Sequence, residues 1–260
     1  MFSFFKKKKQ SESEEEVQNI ICDYEDVSEV MEYFEKETGI TFEQQKNILK
    51  SKLTLFCKTN KIDSFRSLLN SAKSDAKMRQ ELINLLTTNE TYFYREFSQI
   101  RAVVEHVQKR ASSAPIKILC APCATGEEPY SIAIALLEAG VAVEFSITGI
   151  DINSEALQKA REASYSKRHI GNLDETLVQK YFEFQDEQYV LSEKVKEKVV
   201  VFQKNIFEAE FTDLGKFDYV FSRNMLIYFD KETKLRAKSI LEGMRKDPSV
   251  GVFFGHADLF

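Results

Sequence analysis

From about residue 116 onward, short apolar runs of strand length alternate with stretches of helical periodicity, and this alternation restricts the fold more than any other feature. The runs are residues 116–120, 145–150, 199–202, 217–221 and 250–254, with helical patterns at 130–138, 155–163, 176–182 and 231–244. Runs that are apolar nearly throughout suit strands buried on both faces. Strands alternating with helices predict an α/β fold, a parallel doubly wound sheet covered on both sides. Sheets of this kind bind ligands beyond the carboxyl ends of their strands, so the chemistry is expected just after each run.

The upstream part has a different texture. Val27, Val30, Met31 and Phe34 recur at helical spacing and Gly39 supplies a stop. Thr41 followed by Gln44 reads as a capping box for a second helix whose Ile48, Leu49, Leu53, Leu55 and Phe56 face a core, while Lys46, Lys50, Lys52, Lys58 and Lys61 decorate its other side. Asp63 and Asp75 read as N-caps of two further helices. The expected organisation is a charged flexible tail over 1–16, a helical domain over 17–88, a junction over 89–114 and the α/β domain over 115–260, with a small insert near 182–198. The tail sets four lysines, Lys6 to Lys9, against Glu12, Glu14, Glu15 and Glu16, and such charge blocks are usually solvated.

Composition removes several classes. A hydrophobic share of 43% with 30% charged residues excludes a largely disordered chain, and no apolar run approaches the roughly 18 residues of a membrane span. Lysines that follow a short apolar scrap do not make a signal peptide, so a cytoplasmic protein is expected. A net charge of −5 disfavours a global nucleic-acid binder. Four cysteines in 260 residues do not make a disulfide scaffold. Cys120 and Cys123 form a CxxC, but the other cysteines and the histidines are scattered, so packing in the turn is expected rather than a metal site.

The unusual residues do cluster after the strands. The first run leads through a small-residue turn with Gly126 into a helix, a geometry that lets a ligand approach the backbone. Asp151 ends the second run 25 residues after Gly126, the spacing at which a carboxylate accepts hydrogen bonds from ribose hydroxyls. Asn153 or Ser154 is better placed to cap the next helix. Thr125-Gly-Glu-Glu128 doubles as a capping box, yet two carboxylates at a helix start would repel a diphosphate and tolerate a cationic nucleoside such as a sulfonium. Arg223, Asn224 and Tyr228 follow the fourth run, and Thr88–Glu96 packs polar and aromatic residues at the domain junction.

Four blocks in this order, TNETYFYRE (88–96), CATGEEPY (123–130), GID (149–151) and FDYVFSRNMLIYFD (217–230), with Gly255-His256 near the end, resemble the CheR family of chemotaxis protein-glutamate O-methyltransferases. The resemblance covers about residues 24–260. It implies a small all-helical domain preceding a Rossmann-like methyltransferase domain, with S-adenosyl-L-methionine as cofactor. Carried over by motif, Asn89, Thr91, Arg95, Asp151, Asn205, Ile206, Arg223 and Asn224 are cofactor contacts, together with Glu127 or Glu128, of which Glu128 is preferred. Arg95 and Tyr228 would flank the transferring methyl. The implied substrate is a glutamate on the cytoplasmic helical bundle of a chemoreceptor, docked on the lysine-rich helix. Relatives tethered to a receptor pentapeptide carry a glycine-containing β-subdomain, whereas 182–198 here has no glycine, so independence of the tether is expected. The family normally continues beyond the GH segment to a last strand, so a missing edge strand is also expected. An amine acceptor is disfavoured because the turn after the fourth run lacks the prolines of an Asn-Pro-Pro-Tyr motif. A non-catalytic receptor-binding module remains the other alternative.

Overall fold

A computed structural model describes residues 23–258, and the expected charged tail and Cys22 lie outside them. The N-terminal part is helical: α1 (Ser28–Thr38), α2 (Lys46–Thr59), α3 (Phe65–Ser74) and α4 (Ala76–Leu86). Val27, Val30, Phe34, Leu49, Leu53, Cys57, Leu68, Leu69 and Leu82 close one core. Three local expectations are corrected here. The α2 start has no side-chain cap and follows a 3₁₀ turn at Glu43–Gln45; the Thr41 N–H instead donates to the Tyr228 carbonyl at 2.9 Å. Ser64, not Asp63, caps α3 by accepting from the Ser67 N–H, while Asp75 does cap α4. Ile48 and Leu55 are 59% and 68% exposed. The buried stripe of α2 is Leu49, Leu53 and Cys57 at i, i+4 and i+8, and the next stripe round the helix faces outward.

α5 (Phe97–Lys109) leads into a five-stranded sheet. Its chain order is β1 (Ile116–Cys120), α6 (Glu127–Glu138), β2 (Phe145–Asp151) and α7 (Ser154–Glu162). There follow β3 (Ser164–Tyr165), α8 (Lys167–Ile170), α9 (Glu175–Tyr181), β4 (Phe182–Gln185), β5 (Gln188–Leu191) and α10 (Glu193–Lys196). The chain then returns through β6 (Val199–Gln203), β7 (Tyr219–Ser222), α11 (Lys231–Gly243) and β8 (Phe253–Phe254). The main sheet runs β6-β2-β1-β7-β8, parallel throughout. Its central strands β1, β2 and β7 are buried over most of both faces, which explains their largely apolar runs; only Lys117 and Ser146, near the strand starts, are exposed. The fourth run is shorter than its sequence pattern because the backbone at Phe217 pairs with the segment after α11, and the last run contributes only its final two residues. The last run, β8, pairs with β7 at the edge of the sheet.

The insert is larger than 182–198. β4 and β5 form a hairpin, and β3 pairs with β5 to make a three-stranded antiparallel sheet. The hairpin turns at Asp186 and Glu187, both with positive φ (50° and 61°), a turn that ordinarily favours glycine or asparagine.

Candidate active site

The turn after β1 is held from inside the protein. Cys120 and Cys123 are buried, and burial raises both thiols well above their ordinary range, so the CxxC packs as expected. Gly126 has φ 95°, and a Cβ there would meet Tyr130 at 2.9 Å and the Tyr165 hydroxyl at 3.0 Å. Its missing side chain therefore admits neighbouring protein, which corrects the reading of an opening for ligand. Nor does Thr125 cap α6. The N-cap is Gly126, without a side-chain bond, and the Thr125 hydroxyl donates to Glu127 Oε2 at 2.6 Å.

Asp151 ends β2, and Asn153 caps α7, leaving the aspartate free for the turn. Its Oδ2 accepts from the Ala124 N–H and its Oδ1 from the Asn153 N–H, both at 2.9 Å. Burial pushes its carboxyl up to about 6, against the pull of those backbone donors. A carboxylate offers about four lone-pair positions, so capacity remains for two hydroxyl donors.

Glu127 and Glu128 sit differently although adjacent. Glu127 is fully buried, 3.8 Å from His169 Nε2, and burial pushes its carboxyl up to about 7. Glu128 is paired with the buried Arg223, whose Nη1 also donates to the Arg95 carbonyl. Each glutamate keeps one buried oxygen, Oε1, without a hydrogen-bond partner among the described residues. Two orphaned carboxylate oxygens suit a ligand with a fixed positive charge, and a primary ammonium could donate to either.

After β7 the chain passes through Arg223 and Asn224, the latter at φ 57°, to a short 3₁₀ turn at Leu226–Tyr228. With its amide oxygen turned toward Arg95, Asn224 accepts from Nη2 at 2.9 Å and Nε at 3.2 Å. Arg95 also donates to the Glu90 carbonyl at 3.0 Å and lies over the Tyr92 ring.

A cleft runs between these strand ends and the helical domain. Of the expected residues, Asn89, Asp151, Asn205, Ile206, Asn224 and Tyr228 line it. Thr91 and Glu127 line a polar hollow that joins the cleft at Lys52, Thr87, Thr88 and Asn89. Arg95, Glu128 and Arg223 line neither space and stand behind Asn224 and the turn. The opposite wall is the start of α2, where Ile48 and Lys52 face the cleft. The walls are joined beside Tyr228 by the Thr41 bond and an antiparallel bridge between Ile40 and Phe229. Asn205 adds a tie, its Nδ2 donating to the Glu37 carbonyl at 2.9 Å.

Two contributors escaped the sequence reading. Asn84 on α4 bonds Ser154 at the start of α7, fixing the helical domain against the strand ends. Asp258 receives backbone N–H groups of the Arg223–Tyr228 turn. Neither stands in a periodic pattern; the nearest signal to Asp258 was the adjoining Gly255-His256.

Residues 25–87 match the family described as CheR methyltransferase, all-alpha domain, and residues 89–260 match CheR methyltransferase, SAM binding domain. The chain is 33% identical to a chemotaxis protein methyltransferase of Campylobacter jejuni over 235 residues, covering 90% of this chain and 88% of that protein. It is 36% identical to chemotaxis protein methyltransferase 2 of Vibrio cholerae, covering 87% and 83%. The relative in Borreliella burgdorferi is 30% identical, covering 92% and 90%. The fold is thus an all-helical domain followed by an S-adenosylmethionine-binding α/β domain, and the chain belongs to the CheR methyltransferase family.

Proposed function

We propose that this protein transfers a methyl group from S-adenosyl-L-methionine to glutamate side chains of a chemoreceptor's cytoplasmic helical bundle, giving methyl esters. The observation that carries the reading is the cleft itself, with Asp151, Asn205, Asn224 and Tyr228 on one wall and lysine-bearing α2 on the other. The residues present fit the cofactor. Asp151 has capacity for ribose hydroxyls, Ile206 and Asn205 offer an apolar and a polar contact for adenine, and the orphaned Glu127 oxygen, on the adjoining polar hollow, suits the methionine ammonium. When bound, the cofactor supplies an electrophilic methyl on a sulfonium.

A glutamate acceptor is already ionised at neutral pH, its reference pKa being about 4.3. It needs no general base, only in-line placement at roughly 3–3.5 Å. Tyr228 faces the cleft and can hydrogen-bond a reactant. Arg95, held behind Asn224, positions that wall and through a small movement could orient the incoming carboxylate. The lysines of α2 supply charge complementarity for acidic helices. Lys50 is partly committed to Glu25 at 2.9 Å, while Lys52, Lys58 and Lys61 have no ion pair among the described residues.

The work site is the cytoplasm, in keeping with a substrate on a cytoplasmic bundle; no described helix is long and apolar enough to cross a membrane. Docking is independent of a receptor pentapeptide tether, because the β4–β5 turn presents Asp186 and Glu187, which repel a peptide ending in a free carboxylate. Saturable binding of such a pentapeptide would sink that part.

The test is incubation with methyl-labelled cofactor and a receptor cytoplasmic fragment, followed by mild alkali. Label released as volatile methanol identifies a carboxyl ester. Label retained on the protein means an amine or other stable acceptor and overturns the substrate assignment.

A further inference from the structure

The turn that carries Arg223, Asn224 and Tyr228 is held by a side chain from the far end of the domain. Asp258 is 1% exposed, and its carboxylate gathers backbone N–H groups from two segments. Oδ2 accepts from the N–H of Asn224 and, at 3.1 Å, from that of Gly255, while Oδ1 accepts from the N–H of Ile227 at 3.3 Å. A buried carboxylate with backbone donors on both oxygens makes charge-assisted bonds, roughly twice as strong as neutral ones. Removing it would leave those donors unsatisfied in the interior.

The clamp acts where the backbone most needs one. Asn224 is a non-glycine residue in the left-handed region, a conformation that persists only when its surroundings over-determine it. Gly255 packs against it so closely that a Cβ there would lie 2.8 Å from the Asn224 nitrogen. With its amide oxygen turned toward Arg95, the Asn224 side chain in turn accepts from the guanidinium Nη2 and Nε. The C-terminal segment also holds the chain just after Arg95: the Phe254 carbonyl accepts from Gln99 Nε2 at 2.7 Å, and His256 Nδ1 lies 3.3 Å from Glu96 Oε2.

We infer that Asp258 is a positioning residue for methyl transfer: by fixing Asn224 in its left-handed conformation it sets Asn224 and the Tyr228 ring on the cleft wall and the Arg95 guanidinium behind them. The inference rests on the proposed roles of Arg95 and Tyr228. A carboxylate at this place is needed because only an acceptor-only group can serve all three N–H donors; an amide would turn its own N–H₂ toward one of them.

The experiment is a cycle of Asp258→Asn, Asn224→Ala and the double variant in the full chain. It reads kcat and receptor KM with labelled cofactor, thermal melting, and amide hydrogen exchange over residues 223–228. Asp258→Asn should lower kcat by about 10²-fold, the cost of a displacement near 1 Å, with receptor KM unchanged and faster exchange confined to 223–228. In the double variant the losses should not multiply, because both substitutions release the same link to Arg95. Wild-type kcat in a folded Asp258→Asn protein, unchanged exchange at 223–228, or fully multiplicative losses would each overturn the inference. Should Asp258→Asn melt below the assay temperature, Asp258→Glu takes its place in the cycle, and the same non-multiplicative pattern is required. Failure of the wild-type protein to methylate would count against the proposed reaction, whereas the exchange measurement judges the clamp without reference to activity.

Discussion

Along the carboxyl edge of the sheet, Glu127, Glu128, Asp151, Arg223 and Asp258 are all buried, and each is held by at least one hydrogen bond. Across the cleft, α2 shows the solvent Lys46, Lys52 and Lys58 beside the exposed Ile48 and Leu55. Both walls are rich in charge, but charge means different things on them. A buried ionised group must be matched in place, so the edge has one geometry and substitutions there strain the fold. A solvated charge interacts weakly and adjustably, so the α2 wall is free to be tuned to a partner. The edge is thus a rigid wall and α2 an adaptable one.

The strongest way to break this contrast is to unpair one buried group. Neither the Arg223 nor the Glu128 side chain is more than 8% exposed. Arg223→Met should lower unfolding stability by about 3–5 kcal/mol, the cost of leaving one partner of a buried pair. Arg223→Met with Glu128→Met should recover most of that loss while remaining inactive. Urea melts measure both. A single-variant loss below about 1 kcal/mol would show that the edge tolerates unpaired charge and is no different from α2.

Proton linkage sharpens the contrast next. The Glu127 carboxyl lies near 7 in the folded protein against an ordinary 4.5, so between these values the folded state keeps a proton that the unfolded state has lost. Its contribution is fully present below pH 4.5 and is lost as pH rises through 7, about 3 kcal/mol for a shift of this size. Asp151, raised from 3.8 to about 6, adds in the same direction over a lower window. Stability of the ligand-free protein should therefore fall between pH 5 and pH 8, and Glu127→Gln should flatten the upper part of that fall. Melts of both proteins across the range check it. A parallel pH dependence in the variant would remove Glu127 as its cause. On α2, Lys52→Glu should leave these profiles alone and raise the receptor KM several-fold, with a weaker salt dependence.

The two walls also differed in how far the sequence revealed them. The edge was legible because its polar residues interrupt apolar runs at fixed points after strands, and because its blocks occur in a recognisable order. What stayed hidden there were bonds to the backbone. Asp258 reaches N–H groups 31 and 34 residues back in the chain, and no spacing rule announces that. Gly126 was visible as a glycine but not as a neighbour of Tyr130 and Tyr165, since only the fold brings those together. On α2 the helical periodicity is legible in the sequence but the buried face is not. Leucine and isoleucine at 48, 49, 53 and 55 cover two adjacent stripes, and a sequence does not say which stripe meets a neighbour.

That misread stripe gives the smallest predicted effect and a pointed one. If Ile48 and Leu55 serve docking rather than packing, Ile48→Ser and Leu55→Ser should change unfolding stability by no more than about 0.5 kcal/mol, as exposed positions do. Leu53→Ala, one stripe round, fills no solvent-facing role and should cost about 2–5 kcal/mol. The same serine variants should raise the receptor KM without altering cofactor affinity, because an apolar side chain between lysines adds contact area that charge alone does not. Denaturant melts paired with receptor kinetics separate the two readings. A large stability loss at Ile48 or Leu55 would place them in the core after all, and an unchanged receptor KM in stable variants would leave the lysines to carry the docking surface by themselves.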